Sequence, residues 1–345
     1  MVPLEDEKPA MTRNGQKKRR TALVIVILGV VVLALPFLRF THREYILSVL
    51  TFVFIYTTLG QSWNILGGFA KQFSLGHAAF FGLGAFFTAF GCHLGVPALL
   101  SLLMGGVLVA LVSYPLGRIC FAAKGPYFTI ITLALAEIFR IIFLWRPELS
   151  GSEGMTLPVN FFSKNISMYY LALIMAAISI LVAFRIGDSN LGLSLRSIGD
   201  DEDASAELGV RVLYAKSITL FMSAGMAALA GGTYGIFTQY LSPNDVFSII
   251  YSLDAIFISI VGGAGLPFGP FIGALLFSIL EETLNPLAPG AHLLFLGSIL
   301  IAIMFLLPNG LLSLVHKTRN QTGPLAIRIV RKEKRGGSAS GAIGN

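Results

Sequence analysis

The sequence predicts an all-α, polytopic bundle of about ten membrane-spanning helices, on three observations. Only 12% of the 345 residues are charged and 55% are hydrophobic, with a mean hydropathy of +0.77. Soluble domains carry about twice that share of charge. The apolar residues come in helix-length runs broken by Gly, Pro and charge, not in the alternating segments of a barrel. Basic residues flank these runs, so the net charge of +7 points to a lipid bilayer as partner and not to nucleic acid.

Residues 1–21 form a basic N-terminal segment ending in Lys17, Lys18, Arg19 and Arg20. The apolar run 22–38 reads as a retained span and not a signal peptide, because no small-x-small cleavage pattern follows and Pro36 and Arg39 end it. Further spans are expected at 45–66, 75–93, 98–117, 127–144, 169–186, 212–236, 248–262, 269–283 and 292–308. Alternate threading from a cytoplasmic N-terminus returns the C-terminus to the cytoplasm. It leaves about 20 of the 25 Lys and Arg residues inside, against Arg39, Arg43, Arg140, Arg146 and Lys164 outside. If Gly67–Gly82 or 262–275 are re-entrant, the count falls to eight or nine. Residues 22–315 thus make one transmembrane domain, followed by a basic tail, 316–345, expected to be disordered. Cys92 and Cys120 lack metal-ligand spacing and read as small apolar residues without a disulfide.

One long polar loop, 187–211, interrupts the apolar chain. Asp200 is expected to cap a short helix there, with Asp203 as a weak capping box. Asp201, Glu202 and Asp203 fill the first turn, where the helix dipole favours negative charge, and Gly209 is a left-handed stop. Such a capped loop is either a handle gripped from outside the bilayer or simply a solvated acidic turn.

No catalytic constellation is present: there is no phosphate-binding loop, H-E-x-x-H, C-x-x-C or G-x-S-x-G pattern. The chain therefore reads as a non-enzyme without its own cofactor, and any ATP that drives it is hydrolysed by another chain. Two Gly-rich segments, 67–86 and 262–274, should line a wet pathway or close helix contacts; Gly262 and Gly263 open the second. Polar residues within spans are the other pathway candidates. Gln61 and Asn64 share a face, and Gln72, Ser74 and His77 follow. Glu137 can pair with Arg140 one turn on, and Asp254 stands alone. His77 is more readily a packing residue than a ligand, and Glu137 with Arg140 more readily an ion pair than a proton relay.

Three stretches taken together, NILGGFAKQFSLGHAAFFGLGAF (64–86), SLRSIGDDEDASAELGV (194–210) and SIVGGAGLPFGPFIGA (259–274), resemble the permease subunits of branched-chain amino-acid ABC importers, of the LivM-like type. The resemblance runs from about residue 45 to 315. It implies a permease in a bacterial inner membrane, working with two ABC ATPase subunits, a second, LivH-like permease and an extracytoplasmic substrate-binding protein. It also implies that the loop couples to the ATPases through Leu193, Arg196, Asp200, Asp201, Glu202, Asp203, Ala204 and Gly209. Asp203 and Ser205 depart from the family's E-A-A-x-x-x-G pattern but keep charge and small size. Gly199 stands where relatives often carry Arg. Branched-chain or related small amino acids are the implied cargo, with urea or short amides as the alternative. An ion-coupled carrier acting alone, using Asp254 or Glu137, is the competing class.

Overall fold

The computed structural model describes residues 42–146, 154–158 and 165–287, with a few isolated positions besides. The expected spans 22–38 and 292–308, both terminal segments and most of residues 147–164 lie outside the described residues. The chain divides into two units, Met1–Ser48 and Val49–Asn345. Described residues of the first are chiefly the opening turns of helix α1.

Helix α1 (Arg43–Trp63) runs on into a π-helical turn, Asn64–Phe69. It is followed by α2 (His77–His93), α3 (Ala98–Cys120), α4 (Pro126–Trp145) and α5 (Asn165–Gly187). Two short helices, α6 (Asn190–Asp200) and α7 (Glu202–Glu207), lead to α8 (Val212–Thr238). A four-residue helix α9 (Pro243–Val246), then α10 (Ile249–Gly262) and α11 (Gly269–Leu287), complete the described chain. Two short strands, β1 (Met155–Thr156) and β2 (Tyr240–Leu241), pair antiparallel.

Among the described residues, six helical stretches are long and apolar enough to cross a membrane: Arg43–Phe69, Ala98–Cys120, Pro126–Trp145, Ile166–Gly187, Val212–Thr238 and Pro243–Gly262. The protein is a multi-pass helical membrane protein. Of the expected spans, 75–93 becomes the 17-residue α2 and 269–283 becomes α11, which carries Glu281 and Glu282. Neither meets the length and hydropathy of a span taken alone.

Hydrogen bonds sort the helix termini into two groups. At one end, Lys71 reaches Asp200, Lys124 reaches Asp203, and Asn64 bonds Gly265 and Leu266. The turns 64–76, 121–125, 187–211 and 263–268 therefore share that end. At the other end, His93 bonds the carbonyl of Thr156, and β1 pairs with β2. Successive long helices thus run alternately between the two ends.

Glycine sets the spacing of the central helices. Added methyl groups would meet Ala228 at Gly84, the Phe81 backbone at Gly231 and the Phe247 ring at Gly82. Close backbone approach of this kind is how helices gain packing energy where lipid is as apolar as leucine.

The interruption after α1 explains the shortness of α2. The chain turns at Lys71, a non-glycine residue with φ 52°. It then returns toward the bundle, so that the carbonyl of Ser74 lies level with Trp63 and accepts from its indole N–H at 2.9 Å. Each freed backbone group in this stretch needs a partner at membrane depth. Thr129 donates to the Phe73 carbonyl, and the Leu75 N–H donates to Thr132 Oγ1. Ser252 donates to the Leu75 carbonyl and accepts from the Ala78 N–H. The Gly76 N–H returns to Ser74 Oγ.

The second Gly-rich segment is clasped to the first by one side chain. Asn64 accepts the Gly265 N–H at 2.7 Å and donates to the Leu266 carbonyl at 3.1 Å. Replacing Asn64 with Leu keeps the bulk but strands both backbone groups. The expected cost is about 2–4 kcal/mol, read as a lower unfolding midpoint of the purified chain in mild detergent. Asn64→Asp, which keeps the acceptor alone, should fall between.

Candidate functional site

The loop 187–211 folds as two helices that meet at Asp201. Ser189 caps α6, accepting the Gly192 N–H. The expectation that Asp200 caps the acidic helix is corrected: Asp200 ends α6, and Asp201 is the cap, extended at φ −156° and accepting the Ala204 N–H at 2.9 Å. Asp201 is the better placed because a cap must leave helical geometry before the next helix begins. Glu202 and Asp203 do occupy the first turn of α7. Gly209, at φ +89°, ends the pair in the left-handed conformation.

Helix α6 buries a narrow stripe. Leu195 and Ile198, three residues apart, pack with Ile65, Phe69, Ala70, Ile186 and Ala215. Arg196 lies over the Phe69 ring and donates to the Gly187 carbonyl, so it anchors the loop to the bundle. Gly199 has a local reason: a side chain there would press on Ala70 and Lys71, 3.1–3.2 Å away.

Three acids of the loop each hold a lysine from a different part of the chain. Asp200 pairs with Lys71 at 2.7 Å, Asp203 with Lys124 at 2.6 Å, and Glu202 with Lys216. The first two pairs are exposed and each is worth little alone. The third is different, because Lys216 is 1% exposed and also lies over the Phe121 ring. Lys124, by hydrogen bond and by charge, holds the Asp203 carboxyl below the usual carboxylate range, and Asp203 raises Lys124 in return. That link is intact at neutral pH; it is lost as pH falls through the depressed carboxyl pKa or rises through the raised lysine pKa. The lysine partners were not among the residues singled out from sequence. Lys216 carried a signal, a lone cation at the mouth of an apolar span beside an acidic loop.

What the loop leaves uncovered is apolar. Leu193 is 62% exposed and Leu208 82%. Between the loop and the foot of α8 lies a cavity of about 430 Å³, bordered by Leu191, Ser194, Leu208, Gly209 and Tyr214. Ala204 is exposed beside them.

The pathway candidates separate into two sets. Gln61, Asn64, Ser74 and His77 are fully buried within the subunit. Asn64 and Ser74 have their polar atoms in the backbone bonds described above. His77 Nε2 lies 2.9 Å from Ser223 Oγ, which donates to the Ser62 carbonyl. The Gln61 amide has no hydrogen-bond partner among the described residues. Gln72 only reaches the Ala70 carbonyl, at 3.4 Å. Gly262 packs on the Gly269 backbone, and Gly263 turns the chain at φ 124°. Asp254 is 6% exposed, within electrostatic reach of Glu281 and Tyr56.

Glu137 is placed differently. Helix α4 buries only a stripe of Phe128, Thr132, Ala136 and Phe143 and exposes Ile130, Ile131, Ile138, Ile141 and Ile142. On that open face Glu137 forms the expected pair with Arg140, and Arg140 also donates to Asn244 Oδ1 at 2.7 Å. The three residues border a groove of about 590 Å³ whose other walls include Ile130, Leu133, Phe247 and Ser248. Asn244, on the short helix α9, was not singled out from sequence; only its place between two spans could have drawn notice. An ion pair part-way along a membrane helix is costly against hydrocarbon, so this face suits a protein partner or a wet cavity.

Replacing Lys216 with Met should leave Glu202 without its cation and cost about 3 kcal/mol, measured as a fall in unfolding midpoint. The double variant with Glu202→Gln should recover most of the loss.

A family described as branched-chain amino acid transport system / permease component matches residues 45–304. The high-affinity branched-chain amino acid transport system permease protein LivM of Escherichia coli is 26% identical over 339 residues, covering 89% of this chain and 78% of that protein. Its Salmonella typhimurium counterpart is 25% identical over the same shares. A solved structure of a metal-chelate type ABC transporter in an inward-facing conformation shares 15% identity at a TM-score of 0.48, covering 83% of this chain and 98% of that one.

Proposed function

We propose, from the premise that this chain belongs to the branched-chain amino acid transport system permease family, that it forms half of the translocation pathway of an ATP-driven importer. The proposed cargo is leucine, isoleucine, valine or a related small amino acid. Two ATPase subunits, a second permease and an extracytoplasmic binding protein complete the assembly, and ATP is hydrolysed by those ATPases. The end carrying 187–211 faces the cytoplasm of a bacterial inner membrane, as the concentration of Lys and Arg there favours. Ten spans, with both termini inside, fit that orientation.

The observation that carries this reading is the construction of the loop. Its acids hold the bundle through Lys71, Lys124 and Lys216, while Leu193 and Leu208 remain uncovered. A handle needs both properties: a surface for another protein to grip, and stiff links that carry the displacement inward. The acids therefore serve as links within the chain, and docking falls to Leu193, Ala204, Leu208 and Gly209. Coupling then requires that the ATPases hold this handle differently before and after nucleotide binding.

The open face of α4 is assigned to the pathway between the two permeases. There Glu137 and Arg140 offer opposite charges to an ammonium and a carboxylate, and the isoleucines suit an apolar side chain. A zwitterion can exchange with the internal ion pair without leaving either charge unpaired.

Two experiments test this. In proteoliposomes holding the whole complex, Leu193→Asp with Leu208→Asp should abolish ATPase association and uptake while the chain still inserts. Undiminished uptake would refute the docking role, and uptake by the chain alone would restore the carrier reading. Arg140→Gln should lower uptake about tenfold or more with ATPase association unchanged. Uptake of urea or short amides in preference to leucine would replace the proposed cargo.

A further inference from the structure

A second cavity lies at the same end of the bundle, between the last turns of α3 and the first turn of α8. It measures about 340 Å³, and its polar lining is Tyr114, Arg118, Arg211, Tyr214 and Ser217. No carboxylate borders it. Among the described residues, neither arginine has an acid within salt-bridge distance; the loop's Asp200, Asp203 and Glu202 are paired with Lys71, Lys124 and Lys216 instead.

Ser217 supplies an independent sign of an absent partner. It is 1% exposed, and its hydroxyl has no hydrogen-bond partner among the described residues. Other buried hydroxyls of α8 behave otherwise: Thr219 and Thr233 donate to carbonyls one turn back, and Ser223 to the Ser62 carbonyl. A buried hydroxyl left unpaired costs stability unless something bonds it.

The surroundings tell which kind of partner fits. Along α3, toward the middle of the bundle, Met104, Val107, Leu108, Leu111 and Val112 form an exposed apolar stripe that ends at this cavity. Tyr114 and Tyr214 flank the junction, the position where amphipathic rings gather between lipid chains and water.

We propose that this cavity binds the phosphate of an anionic phospholipid headgroup. The two guanidinium groups hold the phosphate oxygens, and the hydroxyls of the tyrosines and Ser217 complete its hydrogen bonds. The acyl chains lie along the α3 stripe. The assignment to the inner leaflet rests on the orientation proposed above; the binding itself does not. Because Arg211 and Tyr214 also stand at the stem of the coupling loop, a bound lipid stiffens the point where that loop meets α8.

The test uses the full chain, purified and stripped of lipid, and needs neither ATPase nor transport. Its failure is therefore distinct from failure of the importer reading. Retention of phosphatidylglycerol and of phosphatidylcholine with the same acyl chains is compared by native mass spectrometry. Unfolding midpoints are measured with each lipid and with inorganic phosphate alone. Phosphatidylglycerol should be retained in preference, and Arg118→Gln or Arg211→Gln should each reduce that preference about fivefold. Ser217→Ala should reduce it less. If a glutamine variant does not fold in phosphatidylcholine, Arg→Lys at the same position replaces it and should keep most of the preference. Equal retention of the two lipids, or a preference unchanged in all variants, overturns the proposal. Inorganic phosphate that matches the full stabilisation by phosphatidylglycerol also overturns it, in favour of a soluble anion.

Discussion

The constraint on which most of this structure depends is that no backbone polar group may go unpaired at membrane depth. The chain breaks helix twice at one end of the bundle, at 70–76 and at 263–268, and each break frees groups that must find partners within the protein wherever they are buried. Side chains of Trp63, Asn64, Ser74, Thr129, Thr132 and Ser252 take up those groups. Their positions fix the relative height of α1, α2, α4 and α10. Asn64 and Ser74, two of the polar residues that the sequence offers as pathway candidates, thereby fasten the fold.

The same breaks set the position of the loop. The π-helical turn at 64–69 supplies Ile65 and Phe69 to the patch on which α6 rests, and Lys71 follows directly. A displacement of α6 therefore presses on the interrupted segment as well as on α5 and α8. Stiffness along this route comes from many modest contacts, of which the buried Lys216–Glu202 pair is the one with the most to lose.

The outer faces of α3 and α4 carry a different message. Both are rich in exposed Ile, Leu and Val, which alone would suit lipid. On α4, however, Glu137 and Arg140 interrupt the apolar face within a groove, whereas on α3 the stripe runs uninterrupted to a basic rim. One face is suited to a wet seam between proteins and the other to lipid.

By itself the sequence determined the helical class, the limits of the described long helices to within a few residues, and the existence of a capped polar loop. These are local matters of apolar run length, glycine placement and capping chemistry. It also announced the Glu137–Arg140 pair, whose members lie one helical turn apart. Tertiary structure alone decided what depends on residues distant in the chain. It made Asn64 a clasp, because Gly265 lies 201 positions away. It gave three of the loop acids their lysine partners, because Lys71, Lys124 and Lys216 come from three other segments. It set Arg118 and Arg211 around one cavity, because α3 finishes where α8 begins. Hydropathy and periodicity describe a helix's own faces; they hold no record of which face another helix will cover.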